Sequence, residues 1–393
     1  MLLGLVGKPS SGKSTFFKAA TLAEVAIASY PFTTIKSNHG VGYVKIDCVD
    51  RDFGIKCNPS HGFCIQEKRF VPVEIMDVAG LVPGASKGKG LGNQFLDDLR
   101  QADVFIHILD ISGTTDFEGK QTENHDPSKD LEFLEDELDK WFFNILMKAW
   151  KSFAKKTDVE GNFSKAVVKQ FSGLKVNEEH VKNILKENTF PEKAGTWNSE
   201  QLMKFASALR KKSKPVIIAA NKIDMEQSKE NYEKLKKKFP DRIIIPCSAD
   251  SELALREAAK HDLIEYIPGE RNFKITGDVN KKQELALKKI KENVLNRFVG
   301  TGVQAVLNYA VFELLGYIAV FPVDSANKLA DSKGKILPDC FLLPKGSTAL
   351  DFAYSLHTDL GKNFIKAIDA RTKKVLGKDY KLRHRDILEI VTK

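Results

Sequence analysis

The chain has 393 residues, which is long enough for two or three domains that each bury a hydrophobic core. Hydrophobic residues make up 42% of it and charged residues 29%, proportions that exclude a largely disordered chain. The formal net charge of +9 favours an acidic partner such as nucleic acid, or equally a lysine-rich solvated surface.

The hydropathy pattern predicts no membrane partner and a cytoplasmic location. The sequence contains no uninterrupted apolar stretch of ~18 residues, the length that a membrane-spanning helix requires. We also expect no secretory signal, because the first residue already lies in an apolar run that is predicted to be a strand. No pattern indicates specificity for DNA, and the composition leaves the oligomeric state open.

Residues 7–14 read Gly-Lys-Pro-Ser-Ser-Gly-Lys-Ser, directly after the apolar run 1–6. This G-x-x-x-x-G-K-[ST] pattern between a strand and a helix is typical of a loop that wraps nucleotide phosphates. Lys13 is expected to reach the β- and γ-phosphates and to stabilise the charge that develops during hydrolysis, and Ser14 is expected to ligate Mg²⁺. The residues predicted to contact the phosphates are Gly7, Ser10, Ser11, Gly12, Lys13, Ser14 and Thr15.

Short β-branched runs recur at 71–76, 104–109, 215–220 and 243–245, with turn or helix signals between them. Nearly continuous apolar strands separated by helices predict an α/β domain with a doubly wound parallel sheet, which binds ligands at the carboxyl ends of its strands. We assign its first part to residues 1–113. Its second part, with linking helices, is assigned to 213–317.

The segment between these two parts has a different pattern. From Leu131 to Trp150, apolar residues recur at three- and four-residue spacing, which predicts one long amphipathic helix. We therefore expect an inserted α-helical domain over 114–212. After it and the second part of the sheet domain, residues 318–393 carry short strands and turns and form a small α+β module.

Asp77-Val78-Ala79-Gly80 has the D-x-x-G form and follows a predicted strand. In that position the Asp77 carboxylate can hold Mg²⁺ through a water molecule, and the Gly80 N–H can meet the γ-phosphate. The tetrapeptide is a weak signal alone and a strong one behind a phosphate loop.

Asn221-Lys222-Ile223-Asp224 closes the strand that begins near residue 215 and predicts the base. An aspartate carboxylate accepts two N–H bonds from guanine, and adenine offers no such pair of donors. Asn221 is expected to brace the loops, and the Lys222 stem to lie along the ring. Ser248 and Ala249, which end the next strand, are placed to offer backbone N–H groups to the guanine oxygen. The predicted ligands are therefore GTP or GDP with Mg²⁺.

The four motifs, in this order, resemble those of the translation-factor-related GTPases and specifically the Obg/YchF group. Residues 77–103 resemble that group's switch II, and residues 30–34 resemble its switch I. The resemblance implies that Thr34 completes Mg²⁺ coordination when the γ-phosphate is present. Asn-Lys-Ile-Asp departs from the Asn-x-x-Glu form of the ATP-preferring YchF members, which favours GTP. Ser10 stands where the family commonly has an asparagine tied to potassium-assisted hydrolysis, so potassium dependence stays open.

The C-terminal module resembles a TGS domain, a ubiquitin-like β-grasp fold, at residues 343–354 and 357–361. This likeness implies contact with the ribosome or RNA. The basic stretch 378–385 fits phosphate contacts, or equally a solvated surface.

Leu81 follows the D-x-x-G motif where many small GTPases have a glutamine that orients the attacking water. Leucine cannot hydrogen-bond that water, so we expect a slow intrinsic rate. The sequence therefore predicts a GTP-hydrolysing switch that acts on ribosomes or structured RNA, with Lys13, Thr34 and Gly80 at the reaction centre. Two alternatives stay open: an ATP-preferring YchF-like ATPase, and an RNA-binding module that keeps nucleotide as a structural ligand.

Three of the five cysteines, Cys48, Cys57 and Cys64, lie between the two switch segments, with His61 among them. Together these four residues could supply the ligands of a tetrahedral zinc site. The spacing lacks the C-x2-C pair that makes such a prediction strong, so a disulfide or three separate thiols are equally open.

Overall fold

A computed structural model of the chain describes residues 1–22, 38–78, 98, 100–148 and 150–393, with the side chain of Lys151 left out. The described residues fall into two compact units. The first lies within Met1–Ala19, Ser37–Gly40 and Glu74–Val306, and the second within Ala20–Lys36, Val41–Val73 and Leu307–Lys393. No helix in these described ranges is long and apolar enough to cross a bilayer.

The main sheet has parallel strands at its centre. Its strands are β1 (Leu2–Val6), β2 (His39–Asp47), β3 (Phe63–Ile65), β4 (Lys68–Asp77), β5 (Val104–Asp110), β6 (Val216–Asn221) and β7 (Ile244–Pro246). Their order is β2-β4-β1-β5-β6-β7, with β3 paired antiparallel to β4. The pairs β4–β1, β1–β5, β5–β6 and β6–β7 are parallel. Both faces of β1 and β5 are buried, as their continuous apolar sequences predict.

The remaining elements before residue 315 are mostly helices. The α-helices are α1 (Lys13–Thr21), α2 (Pro127–Met147), α3 (Trp150–Glu160), α4 (Phe163–Gln170), α5 (Glu178–Glu187), α6 (Ser199–Ser213), α7 (Ser228–Lys238), α8 (Ala249–Lys260), α9 (Lys281–Ile290) and α10 (Val303–Asn308). Short 3-10 turns span Val49–Phe53 and Ala194–Thr196, and π-helical turns span Lys291–Leu295 and Tyr309–Leu314. Strands β8 (Ile264–Tyr266) and β9 (Phe273–Ile275) form a hairpin.

Helices α2 to α6 lie between β5 and β6 in the chain, where the sequence predicts a helical insertion. Helix α2 begins after Asp126, whose side chain accepts a hydrogen bond from the Ser128 backbone N–H. The predicted single helix from Leu131 to Trp150 is wrong, because α2 ends at Met147 and Trp150 begins α3. Trp150 still packs in the same buried core as Trp141 and Leu146 of α2, and its ring contacts that of Trp197.

An aromatic cluster packs the inserted helices together. Its rings come from α3, α4, α6 and the segment before α6: Trp150, Phe153, Phe163, Phe190, Trp197 and Phe205. Trp197 is central, with ring centroids 4.6 Å from Phe190 and 5.3 Å from Phe205. Phe205 is fully buried.

The C-terminal module is a mixed sheet with one helix packed into its core. Its elements are β10 (Tyr317–Val323), β11 (Phe341–Pro344), α11 (Ala349–Leu356), α12 (Thr358–Lys362), β12 (Phe364–Asp369), β13 (Val375–Leu376) and β14 (Asp386–Thr392). The strand order is β11-β10-β14-β12-β13, and the central pair β10–β14 is parallel. Val320, Phe352 and Leu388 are buried in its core. The short strands that the sequence predicts for this module are therefore present.

Residues 41–73 belong to the same compact unit as this module. The fully buried Arg69 donates to the carbonyl oxygens of Leu337 at 3.0 Å and Pro338 at 2.8 Å. Asn308 exchanges two hydrogen bonds with the backbone of Lys45, at 2.9 and 2.7 Å. The division into compact units thus separates residues 41–73 from 1–19 and 74–113. The domain boundaries 1–113, 114–212, 213–317 and 318–393 remain predictions.

We expect Phe205→Ala to lower the free energy of unfolding of the helical insertion by about 3–5 kcal/mol, because it leaves a cavity beside Trp197. Urea unfolding followed by tryptophan fluorescence isolates this region, since Trp141, Trp150 and Trp197 are the chain's three tryptophans. Val159→Ala, at a side chain that is 87% exposed, is the control and should change the value by less than about 0.5 kcal/mol. Equal effects of the two variants would contradict the packing described.

Candidate functional site

The loop between β1 and α1 carries the predicted phosphate-binding residues. Gly12 has φ +92°, and a Cβ there would lie 2.3 Å from the Asn221 amide nitrogen, so a side chain does not fit. Ser10 also has a left-handed backbone, with φ +59°. Ser14 and Thr15 lie in the first turn of α1, where free backbone N–H groups favour an anion.

Lys13 points its ammonium group into this loop. Its Nζ donates to the carbonyl oxygens of Gly7 at 3.0 Å and Lys8 at 3.1 Å. Burial lowers the pKa of Lys13, and the nearby Asp77 carboxylate opposes that shift. The two hydrogen bonds hold the Lys13 amine against the loop backbone, at the position where phosphate oxygens are expected.

Asp77 is the last residue of β4, next to β1, and lies beside Lys13 and Ser14. Burial raises its pKa, whereas the Lys13 charge and a hydrogen bond with Ser14 lower it. Its Oδ1 is buried and has no hydrogen-bond partner among the described residues. A buried oxygen without a partner fits a water or a hydrated cation.

Asn221 connects the phosphate loop to the loops that are predicted to hold the base. Its Nδ2 donates to the Ser11 carbonyl oxygen at 2.9 Å, and its Oδ1 accepts from the Ala249 backbone N–H at 3.0 Å. Asn221 ends β6 and Ala249 begins α8, so the bridge spans two neighbouring strands. The predicted bracing role is consistent with both contacts.

Asp224 and Ser248 lie close together. The Ser248 hydroxyl donates to Asp224 Oδ1 at 2.7 Å, and Ser248 also caps α8. The Ser248 backbone N–H donates to the Thr301 carbonyl oxygen at 2.8 Å. The exposed Asp224 carboxylate is thus oriented by a buried residue.

Lys222, which has φ +65°, forms an ion pair with Asp110 at 2.8 Å. Burial of Asp110 opposes its ionisation, but hydrogen bonds from Lys222, Ser112 and Thr115 outweigh that effect and lower its pKa. Asp110 ends β5, between β1 and β6. Sequence reasoning missed this residue, although it follows a predicted strand in the same way as Asp77.

A second ion pair, with both partners buried, anchors the phosphate loop. Lys8 Nζ lies 2.8 Å from Asp130 Oδ2 and donates to the Thr115 carbonyl oxygen at 2.6 Å. His125 contacts the other Asp130 oxygen at 2.8 Å. Lys8 and Asp130 are both buried, and Lys8 is one of the positions that the phosphate-loop motif leaves free. The sequence therefore contained no signal for this contact.

Residues 114–123, after β5, form one wall of the site. Thr115 and Gln121 pair as an antiparallel bridge, and Gly119 lies against Pro9, where a Cβ would approach to 2.8 Å. A cleft of about 680 Å³ lies between this wall and Ser10, Lys222 and Met225. The prediction placed these residues at the start of the helical insertion and gave them no role.

The structure thus brings together the predicted residues of the first unit that it describes. They are Gly7, Ser10, Ser11, Gly12, Lys13, Ser14, Thr15, Asp77, Asn221, Lys222, Asp224, Ser248 and Ala249. Thr34, Gly80 and Leu81 lie outside the described residues. The ligand roles of all of them remain predictions.

The basic stretch 378–385 is partly engaged within its own unit. Arg385 pairs with Asp52 at 3.0 Å, and Lys381 donates to the Gly346 carbonyl oxygen at 2.8 Å. Lys378 and Arg383 are exposed. Fewer positive charges are therefore available for an external phosphate than the sequence indicates.

Three family profiles match the chain. Residues 2–147 match a 50S ribosome-binding GTPase, residues 219–325 match an Obg-like GTPase YGR210-like, G4 motif-containing domain, and residues 326–392 match a TGS domain. Together they bear out the predicted nucleotide-binding α/β domain and the C-terminal β-grasp module.

Three similar proteins span the chain. An uncharacterized GTP-binding protein of Methanocaldococcus jannaschii, MJ1332, is 48% identical over 393 residues, 100% of this chain and 99% of that protein. The ribosome-binding ATPase YchF of Buchnera aphidicola is 28% identical over 373 residues, 93% of this chain and 86% of that protein. A GTP binding protein from Pyrococcus horikoshii OT3 superimposes with a TM-score of 0.79 at 41% identity, covering 100% of both chains. The chain therefore belongs to the Obg-like family of P-loop GTPases that carry a C-terminal TGS domain.

Proposed function

We propose that the protein binds GTP with Mg²⁺ and hydrolyses it slowly, as a conformational switch that acts on the ribosome. The observation that carries the choice of GTP is the Asp224 carboxylate, which the Ser248 hydroxyl orients at 2.7 Å. Asn221 holds the same loops against the phosphate loop. The buried Asn221 side chain would therefore position both the loops that recognise the base and the loop that holds the phosphates.

The carboxylate favours guanine for a chemical reason. Guanine presents two N–H donors, at N1 and the 2-amino group, to one carboxylate, whereas adenine offers no such pair. A carboxylate that a bound base covers without pairing costs about 1–3 kcal/mol, so the wrong base would be rejected. The name of the MJ1332 relative supports GTP. The Buchnera relative is named an ATPase, and this name favours ATP as the second candidate nucleotide.

Ser14 and Asp77 fit a magnesium ion. Ser14 lies close enough to Asp77 to lower the pKa of its carboxyl, and the buried Asp77 Oδ1 is without a partner among the described residues. Bound Mg²⁺ would neutralise negative charge on the phosphates. The resemblance adds Thr34 to this set, outside the described residues.

The chain's own groups would stabilise the charge that develops on the γ-phosphate. Lys13 already points into the loop, and the backbone N–H groups at the start of α1 face the same space. Gly80 is expected to add a further N–H. Because Leu81 cannot orient water by hydrogen bonding, we expect a slow rate unless a partner contributes a group.

The ribosome is the partner that we propose, and a ribosomal role would place the protein in the cytoplasm. The support comes from the name of the Buchnera relative, from the profile description at residues 2–147 and from the TGS module. Exposed Lys378 and Arg383 are available to phosphates. The alternative is an RNA-binding module that keeps the nucleotide as a structural ligand. Release of phosphate in a hydrolysis assay would exclude it.

We expect the wild-type protein to release phosphate from GTP, and far less from ATP, in single-turnover assays. Asp224→Asn should lose about 1–3 kcal/mol of guanine preference, because an amide cannot accept both N–H bonds. The same variant should gain activity on xanthosine triphosphate, whose base has a carbonyl oxygen where guanine has the 2-amino group. That gain separates altered recognition from a misfolded site.

Lys13→Ala is the control for this assay and should release no phosphate, which excludes a contaminating hydrolase. If the wild-type protein used ATP as well as GTP, the choice of base would be wrong. If it released no phosphate even with ribosomes present, the nucleotide would be a structural ligand.

Co-sedimentation with ribosomal subunits tests the partner. We expect more binding with a non-hydrolysable GTP analogue than with GDP, and a steep loss of binding between low and high salt, because phosphate contacts release counterions. Asp224→Asn should lose the nucleotide-dependent difference. Binding that is absent at both salt concentrations with either nucleotide would contradict a ribosomal role.

A further inference from the structure

Three cysteines and one aspartate converge in the second compact unit. Cys48 follows the end of β2, Asp50 lies in the 3-10 turn after it, Cys57 lies in the next loop and Cys64 lies in β3. Their ligand atoms all lie within 4.8 Å of one another. Cys48, Asp50 and Cys57 are buried, and Cys64 is half-buried.

His61, the fourth ligand suggested by the sequence, is not part of this cluster. Its Nδ1 lies 2.7 Å from Asp339 Oδ1. Asp50, and not His61, is the fourth residue of the cluster. The 3-10 turn brings the Asp50 carboxylate back toward Cys57, whose backbone N–H donates to Asp50 Oδ2 at 3.2 Å. The cluster is therefore Cys48, Asp50, Cys57 and Cys64.

The sulfur spacing favours a metal over a disulfide. Cys48 Sγ and Cys57 Sγ are 3.6 Å apart, whereas a disulfide bond holds two sulfurs at about 2.05 Å. Two thiolates bound at about 2.3 Å to a tetrahedral zinc ion lie about 3.8 Å apart. The observed separation is close to the zinc value without any movement of the backbone.

Asp50 supplies an independent sign of a missing ligand. Its Oδ1 is buried and has no hydrogen-bond partner among the described residues, although Oδ2 has one. A buried carboxylate oxygen without a partner is destabilising, and a cation satisfies it. Two arginines bring positive charge near the anionic ligands, since Arg385 donates to the Cys48 carbonyl oxygen at 3.4 Å and Arg69 lies opposite Cys64 in the β3–β4 pair.

We propose that Cys48, Asp50, Cys57 and Cys64 bind one structural Zn²⁺ ion. Three thiolates select a soft divalent metal, and four protein ligands close a tetrahedral site without leaving a position for substrate. The ligands come from four successive pieces of chain, from the end of β2 to β3. The metal would therefore tie together a segment that has only short elements of its own.

The tied segment contacts the C-terminal part of the same unit. The backbone N–H groups of Asn58 and Ser60 donate to the carbonyl oxygens of Ile336 and Pro338, both at 2.8 Å. These bonds begin one residue after Cys57. Holding Cys57 in place would therefore hold the loop against residues 336–338, and loss of zinc should loosen that contact.

Metal analysis of the full-length protein, purified without a histidine tag or chelator, is the first test. We expect about one zinc per chain in the wild-type protein, loss of zinc in Cys57→Ser, and full zinc in Cys340→Ser, whose thiol lies outside the cluster. A folded wild-type protein without zinc that has free thiols, or a Cys48–Cys57 disulfide, would overturn the proposal.

Cobalt titration keeps the test valid if Cys57→Ser does not fold. Added to metal-free wild-type protein, Co²⁺ should give the thiolate charge-transfer and tetrahedral d–d absorption bands, and Zn²⁺ should displace it. Asp50→Asn should weaken metal binding by at least about tenfold while the thiolate bands remain, because losing a ligand should cost no less than losing a group that only orients one. Absence of the bands in the wild-type protein, or unchanged affinity in Asp50→Asn, would show that these four residues are not the ligand set.

Discussion

The carboxamide of Asn221 is the contact on which the nucleotide site depends. It donates to the Ser11 carbonyl oxygen and accepts from the Ala249 N–H, so both of its polar atoms are used. An aspartate would lack the donor and a leucine would lack both groups. Gly12 completes the arrangement, because a Cβ there would collide with the Asn221 amide. The phosphate loop and the base loops are thereby fixed to each other before any ligand arrives.

Two ion pairs extend this arrangement to either side. Lys222 with Asp110 holds the base loop to the end of β5, and Lys8 with Asp130 holds the phosphate loop to α2. Removing Lys222, or either partner of the buried Lys8–Asp130 pair, is expected to cost about 3–5 kcal/mol, because the charge left behind stays buried without its partner. Asp110, Lys8 and Asp130 position the site without touching the nucleotide in our proposal, whereas the Lys222 stem is expected to lie along the base. Polar groups that are already in place before the reaction stabilise the transition state most strongly where charge develops.

The sequence was sufficient for the parts of this molecule that local patterns encode. Motifs at strand ends predicted the residues around Asn221, because parallel strands bring their carboxyl ends to one edge of a sheet. Lys8 could not be found in this way, since it has no place in a motif and its partner Asp130 lies more than a hundred residues away. Asp110 does end a predicted strand, but no motif marks it, and its pairing with the equally distant Lys222 is visible only in the fold. The same limit explains Asp50, whose place in the cysteine cluster depends on a 3-10 turn. It also explains the grouping of 41–73 with the C-terminal module, which depends on Arg69 reaching two carbonyl oxygens.

Calorimetric binding of GDP to Asn221→Ala tests most directly whether one side chain joins the two halves of the site. The substitution leaves a buried carbonyl oxygen and a buried N–H without partners, and each costs about 1–3 kcal/mol if no water replaces the amide. We predict that GDP affinity falls by at least about tenfold while the melting transition of the helical insertion is unchanged. An affinity within about twofold of the wild-type value would contradict the account, because the two loops would then be held in place without Asn221.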